Sequence, residues 1–297
     1  MTPPFTRWLF SYWHAGTGTQ PFGHLDLRVR APVLIPRPET EDWSLRLAKL
    51  VLDDARSQNP VPRQLKVLDI CTGSGCIPLL LLSTLAPKLP QTAVRGLAVD
   101  ISDDAVSLAR ENAKICGLAK ALKVEKMDVF ADDCEEHILA ALSNGANTTS
   151  ETAEGKADLL TSNPPYIPRG EYDALSRSVR EFEDVRALLG DRHLLDHYMS
   201  KAASLHSSPR RSNVSADSPA STMPPVTDQA PAGLDFYPRL ALLASRLLKP
   251  GGILALEVGA GQASAVQQIV GYTHGMEDVE IWKDPWGIPR TVVAVRR

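Results

Sequence analysis

The sequence predicts an α/β domain built on a doubly wound, mostly parallel sheet of seven strands, preceded by two short extended pieces. Three observations carry this expectation. Short strand-like runs alternate with stretches of helical period, the mark of successive strand–helix–strand units. The run LKVLDI (65–70) passes directly into the glycine turn CTGSGC, which opens a helix. Asp69, Asp100 and Asp128 each fall at the end of one of three successive strands, so all three lie on one edge of the sheet.

Taken in order, residues 22–35 read as two extended pieces, FGHLDLRVR and VLI, separated by Ala31-Pro32. Leu25, Leu27 and Val29 alternate with polar neighbours, as in a half-buried strand. An apolar-periodic helix follows over 39–55. The first sheet strand (65–70) leads to a helix over 75–85, and AVRGLAVDI is the second strand. Ser102 is suited to cap a helix ending near Gly117, with Val106, Ala109, Ala113 and Cys116 on one face. LKVEKMDVF is the third strand and 132–143 the third helix, followed by a polar loop over 144–156. ADLLTS is the fourth strand and stops at Asn163. A helix over 234–248, the strand ILALEVG, a helix over 263–271 and the strands DVEIWKD and TVVAVRR complete the pattern.

One segment breaks it. Residues 201–232 hold seven Ser, six Ala and five Pro without a buried pattern, which predicts a disordered insert over 199–232. The strands that follow are needed by the sheet, so the insert interrupts the domain. The expected division is therefore an N-terminal segment over 1–36 and a main domain over 37–297.

Length and composition bound the function. A chain of 297 residues, 43% hydrophobic, suits one large domain with a substantial core. A net charge of −3 and a pI near 6.2 argue against a nucleic-acid coat protein. Cys71, Cys76, Cys116 and Cys134 show neither metal-ligand spacing nor a disulfide framework and read as reduced thiols. The apolar run 77–86 is far short of the roughly 20 residues a membrane span needs. Residues 1–25 contain Arg7 and no acidic residue, with Trp8, Phe10, Tyr12 and Trp13 close together. They read either as a transit peptide or as an aromatic segment packed on the domain.

Two motifs carry chemistry. Asp69-Ile-Cys-Thr72-Gly73-Ser-Gly75 leaves a strand and opens a helix. Glycine lets backbone approach a ligand closely, and a helix N-terminus offers free N–H groups. Asp100 stands where an acidic side chain can accept ribose hydroxyls, and Asp128 where it can reach an adenine amino group. Pro78 occupies the place of the third glycine of a dinucleotide fingerprint, which argues against that class. The second motif lies in LLTSNPPYIP (159–168). Pro164 and Pro165 cannot donate to a ladder, so the strand must stop at Asn163.

The turn D-x-C-x-G-x-G resembles that of class I S-adenosylmethionine-dependent methyltransferases, and Asn163-Pro164-Pro165-Tyr166 resembles the motif of those that methylate planar nitrogens. The resemblance implies that Asp69, Thr72, Gly73, Gly75, Asp100, Ile101, Asp128, Val129 and Asn163 hold S-adenosylmethionine, and that Asn163, Pro164 and Tyr166 are catalytic. The Asn163 side-chain oxygen and Pro164 carbonyl would accept both hydrogens of an NH2 group and orient its delocalised lone pair toward the methyl, with Tyr166 packing on the flat group. VLIPRPETE (33–41) narrows the match to the release-factor glutamine methyltransferases, helped by ALLGD (187–191), GLDFYPRL (233–240), LKPGGILALEVGAGQ (248–262) and DPWGIPR (284–290).

This second resemblance covers nearly the whole chain from about residue 20. It implies a short β-hairpin within 1–36 ahead of a catalytic domain over 37–297, and N5-methylation of the GGQ glutamine of a class I peptide chain release factor, by direct transfer and without a metal. Arg37, Glu39 and Thr40 would then contact substrate beside Asn163, Pro164, Pro165 and Tyr166. The bland alternative is an Arg37–Glu39 pair with Glu39 capping the helix; for Glu257 a structural hydrogen-bonding role is expected. The R-P-E-T-E segment points to the bacterial or organellar branch and the insert to a mitochondrial location, cytoplasmic otherwise. The family's N-terminal helical bundle is not expected in residues 1–20, and the insert separates two segments that the family keeps close. An adenine-N6 methyltransferase acting on RNA or DNA and a catalytically silent partner subunit are the rival readings.

Overall fold

The computed structural model describes residues 18–57, 63–143, 155–195 and 233–297. The N-terminal aromatic segment, most of the polar loop and the expected disordered insert lie outside the described residues.

A two-stranded hairpin, β1 (Thr19–Phe22) and β2 (Leu25–Arg28), precedes helix α1 (Pro38–Ser57). The central elements are β3 (Gln64–Ile70), α2 (Cys76–Leu85), β4 (Ala93–Asp100), α3 (Asp103–Ile115), β5 (Leu122–Lys126), α4 (Cys134–Leu142) and β6 (Ala157–Ser162). Three short helices follow, α5 (Arg169–Ala174), α6 (Arg177–Phe182) and α7 (Val185–Leu188). The chain closes with α8 (Phe236–Leu247), β7 (Leu248–Glu257), α9 (Ala263–Tyr272), β8 (Met276–Lys283) and β9 (Pro289–Arg296). Among the described residues, no helix is long and apolar enough to cross a membrane.

The seven-stranded sheet runs β5-β4-β3-β6-β7-β9-β8. All pairings from β5 to β7 are parallel, and β9 runs antiparallel between β7 and β8. The sheet is doubly wound as expected. The chain moves outward from β3 to β4 and β5, then returns to place β6 on the other side of β3. The crevice at that reversal, off the carboxyl ends of the strands, is where such sheets bind ligands.

Alternate residues of β3 serve opposite cores. Leu65 and Val67 join Trp43, Leu47, Leu80 and Val106 beneath α1–α3, whereas Leu68 and Ile70 join Ile138, Tyr237, Leu240 and Val266 beneath α4, α8 and α9. Helix α2 is apolar nearly all round because it is covered on several sides at once. Ile77, Leu79, Leu80, Leu81, Leu82 and Leu85 are all buried, each contributing about 1.5–3 kcal/mol of burial.

The expected short hairpin is present, but its bounds differ from the two extended pieces read over 22–35. Its strands flank Gly23-His24, and residues 33–35 form no strand. Gly23 takes a left-handed conformation, and a Cβ there would meet Leu80 Cδ1 at 2.5 Å. The turn therefore needs glycine both for its φ and for its approach to α2. Phe22 and Leu27 enter the core beneath α1–α3, so the hairpin packs into the catalytic domain's own core. Buried Asn112 of α3 secures it by accepting from the Arg28 N–H at 2.8 Å and donating to the Arg28 carbonyl at 3.1 Å.

Candidate active site

The glycine turn makes a cradle. Cys71, Gly73 and Gly75 all have positive φ. A Cβ on Gly73 would meet nothing within 4 Å, whereas one on Gly75 would press on Ala109 at 3.2 Å. Gly73 thus leaves room for a ligand, and Gly75 allows the helix to approach its neighbour. The turn is held from below. Thr72 N–H donates to the Val99 carbonyl at 3.1 Å, and Asn112 donates to the Ser74 carbonyl at 3.0 Å.

Asp100 ends β4 and accepts the Gly73 N–H and the Ser102 N–H, each at 2.9 Å. Each carboxylate oxygen keeps a further lone pair. Burial raises the pKa of Asp100, with those two N–H groups opposing the shift. Asp69 is fully buried, and Thr161 donates to its Oδ1 at 2.5 Å. Burial pushes its carboxyl up to about 7. Asp69 Oδ2, Thr72 Oγ1 and Ser74 Oγ are buried with no hydrogen bond of ordinary geometry among the described residues, although Thr72 lies close enough to lower the Asp69 pKa somewhat.

An open cradle, orphaned buried oxygens and a carboxylate at the next strand end suit a ligand carrying N–H and hydroxyl donors. S-adenosylmethionine fits that description, with its amino-acid ammonium and ribose diol.

The other predicted cofactor residues separate. Asp128 lies two residues beyond β5, half-exposed; its Oδ1 accepts the Phe130 N–H at 2.9 Å, and Arg192 approaches its Oδ2 at 3.8 Å. The Arg192 guanidinium also stands 4.1 Å over the Phe130 ring. Ile101 is exposed at the same edge. Val129 is buried in the core beneath α4 and α8, and its carbonyl accepts from Arg239 at 2.7 Å. It therefore supports the edge from behind, because the chain turns inward there toward α4.

The N-P-P-Y segment leaves β6 beside this cradle. Asn163 donates to Thr40 Oγ1 at 3.3 Å. Thr40 and Trp43 both donate to Glu257 Oε2, at 2.6 and 2.8 Å. The Tyr166 hydroxyl stands 3.4 Å from Glu257 Oε1. Glu257 at the end of β7 thus ties the start of α1 to both ends of the motif, the hydrogen-bonding role expected of it. Burial raises the Glu257 pKa, and Thr40 and Trp43 oppose that shift. Burial likewise raises the Tyr166 hydroxyl, with Glu257 adding to it, so the phenol stays neutral.

Pro164 and Pro165 are buried. Gln262 donates to the Tyr166 carbonyl at 2.8 Å and accepts the Gly259 N–H at 3.0 Å. Glycines crowd the Tyr166 backbone. A Cβ on Gly190 would lie 2.8 Å from Tyr166 Cα, and one on Gly233 would lie 2.4 Å from the Tyr166 carbonyl oxygen. These contacts give ALLGD, GLDFY and EVGAGQ a shared physical purpose.

The R-P-E-T-E segment divides. Arg37 pairs with Glu183, its Nη2 donating at 2.6 and 2.8 Å. The alternative Arg37–Glu39 pair is thereby replaced, because α6 and α7 fold over this end of the site. Thr40 is 1% exposed and lies behind Asn163. Glu39 is half-buried in the first turn of α1. Glu183 was not singled out from the sequence, and nothing in local spacing marks it; Asp191 and Gln262 close the motifs ALLGD and LKPGGILALEVGAGQ, which gave them no individual role. Asp191 accepts the Gly233 N–H and the Arg169 N–H, each at 2.7 Å, which joins the two segments that the insert separates.

A glycine cradle at the reversal of a doubly wound sheet, with N-P-P-Y at the adjoining strand end, defines a class I S-adenosylmethionine-dependent methyltransferase. A release factor glutamine methyltransferase of Clostridium acetobutylicum is 30% identical over 275 residues, covering 93% of this chain and 72% of that protein. The chain belongs to the release factor glutamine methyltransferase family.

The Geobacter sulfurreducens relative of the same name is 31% identical, covering 93% of this chain and 70% of its own. Against the Chlorobaculum tepidum relative, 32% identical over 256 residues, the match covers 85% of this chain and 63% of the relative's length. No family model matches the chain. Among solved structures, the N-terminal domain of human METTL16 overlays with a TM-score of 0.49 and 13% identity, covering 97% of this chain and 80% of that one.

Proposed function

We propose that this enzyme methylates the side-chain amide nitrogen of the GGQ glutamine in a class I peptide chain release factor. One observation carries the reading: Asn163 and Tyr166, the two ends of N-P-P-Y, are linked to a single buried carboxylate beside the glycine cradle. The names of the relatives support a release factor as substrate. The R-P-E-T-E segment and the low-complexity insert support a mitochondrial location.

S-adenosylmethionine, when bound, supplies an electrophilic methyl on a sulfonium. Gly73 leaves room for it, and the Asp100 oxygens keep lone pairs for the ribose. Asn163 Oδ1 and the Pro164 carbonyl accept the two amide hydrogens and hold the nitrogen lone pair in line. These acceptors gain strength as positive charge develops on nitrogen, so they favour the transition state over the ground state. The chemistry the bound cofactor would supply is methyl transfer to this nitrogen, in which the nitrogen–carbon bond would form as the carbon–sulfur bond breaks, with one amide proton released to water. Neutral Tyr166 flanks the flat amide.

The test is Asn163→Ala in single-turnover methylation of a release factor, with RNA and DNA offered in parallel. A rate loss of about 10²–10³, by analogy with one preorganised active-site hydrogen bond, is expected, well beyond any change in cofactor affinity measured in parallel. Asn163→Asp keeps an acceptor and should retain partial activity. A wild-type rate in Asn163→Ala, or methylation of nucleic acid alone, refutes the proposal.

A further inference from the structure

We infer that Trp43, Glu257 and Thr40 form a hydrogen-bond relay whose polarity fixes which face of the Asn163 carboxamide meets the substrate. The inference rests on the catalytic reading of Asn163 above and names three positioning residues for it.

Each step follows from how many hydrogens a group can give. The Trp43 indole nitrogen is donor only. At 2.8 Å it makes Glu257 Oε2 an acceptor. The Thr40 hydroxyl has one hydrogen, and at 2.6 Å it gives that hydrogen to the same oxygen. Thr40 Oγ1 therefore offers only lone pairs to Asn163, 3.3 Å away, and the group facing it must be the NH2. The carboxamide oxygen is turned the other way.

Asn carries its oxygen and NH2 on nearly identical shapes, so packing alone distinguishes the two orientations poorly. With the amide reversed, its oxygen would face the lone pairs of Thr40. Water cannot enter to relieve that clash, since Thr40, Trp43 and Glu257 are 1%, 2% and 2% exposed. The same carboxylate approaches the Tyr166 hydroxyl through Oε1, so one side chain aligns both ends of the motif. In the reversed orientation Asn163 would present a donor to the substrate's own N–H groups. The relay thus selects an acceptor where the reaction requires one.

The experiment separates this role from simple packing. Thr40→Val keeps the shape and removes the hydroxyl; Thr40→Ser restores it. The side-chain ¹⁵N–¹H resonances of Asn163, assigned by their loss in Asn163→Ala, are followed in the protein without substrate. They should shift and lose exchange protection in Thr40→Val and recover in Thr40→Ser. In single-turnover assays Thr40→Val should lose about tenfold in rate, the scale of one net hydrogen bond. KM for release factor and cofactor affinity should hold, and no further loss should follow in an Asn163→Ala background.

Glu257→Gln serves should Thr40→Val not fold. Its amide oxygen can face Trp43 and Thr40 with its NH2 toward Tyr166, so the Asn163 resonances should persist. Unchanged Asn163 resonances in Thr40→Val, their loss in Glu257→Gln, or equal rate losses in both backgrounds would overturn the relay. Should the wild type methylate no release factor, the substrate reading falls, and the resonances still decide the relay.

Discussion

Removing Arg37 should destabilise the fold far more than removing Arg37 together with Glu183. The two side chains are 15% and 3% exposed, so the carboxylate has little water to fall back on. Arg37→Met leaves Glu183 buried without its main partner, a change that costs about 3–5 kcal/mol. The double variant Arg37→Met/Glu183→Leu replaces the pair by apolar groups of similar length and should return to within about 1 kcal/mol of wild type. Burial already holds the Glu183 carboxyl above its ordinary range despite Arg37. Without Arg37 it rises further, and protonation at low pH relieves part of the penalty. The cost of Arg37→Met should therefore be larger at pH 8 than at pH 5.

Urea unfolding of the three proteins at both pH values measures this directly. A single variant within about 1 kcal/mol of wild type at pH 8 would refute the argument. The same proteins test the sequence-based expectation that Arg37 contacts substrate. If it does not, the double variant keeps the wild-type KM for release factor.

Two further outcomes follow from buried polar groups. Asp69 stays protonated to about pH 7 in the folded protein but ionises near 3.8 when unfolded. The unfolded state then binds fewer protons across that window, so stability falls as pH rises from about 4 to 7. The contribution is on the order of 4 kcal/mol. Asp69→Asn should flatten the urea-derived stability profile by that amount, and a profile parallel to wild type would mean the carboxyl is ionised. Asn112→Ala strands the Arg28 N–H and two carbonyls, costing about 2–4 kcal/mol. By releasing Ser74 it should also weaken cofactor binding in calorimetry; unchanged affinity would show that the hairpin and the cradle are independent.

Much of the framework was readable because β3 and β6, in the middle of the sheet, are buried on both faces, and because some strand ends carry a residue that marks the stop. Asp100 closes β4, and Asn163-Pro164-Pro165 ends the run of β6. Ser102 was recognisable as a cap from its chemistry, and its hydroxyl does accept the Ala105 N–H. The helices over 169–188 were not readable, since pieces of six, six and four residues are too short to display a period. The turn at Gly23-His24 was missed because the alternating pattern on its far side extended the apparent strand backward. Strand β7 begins at Leu248, ahead of Pro250-Gly251-Gly252, which reads as a turn; the register shift opposite Ala157 and Leu159 absorbs it. Within the site, N-P-P-Y and the glycine turn were legible as local strings. The Glu257 relay joins residues 40, 43, 163, 166 and 257, and no local pattern encodes such a meeting.

The Asp191–Gly233 hydrogen bond has a consequence for how the chain tolerates change. Asp191 and Gly233 are held directly to each other, so the geometry at Tyr166 does not depend on the length of chain that joins them. As a general rule, doubling the length of a loop between fixed ends adds only about 0.6 kcal/mol of closure entropy. The clasp is thus an insertion port. A reporter domain whose own termini lie close together could be spliced between residues 196 and 232, tethered beside the methyl-transfer site without being part of it.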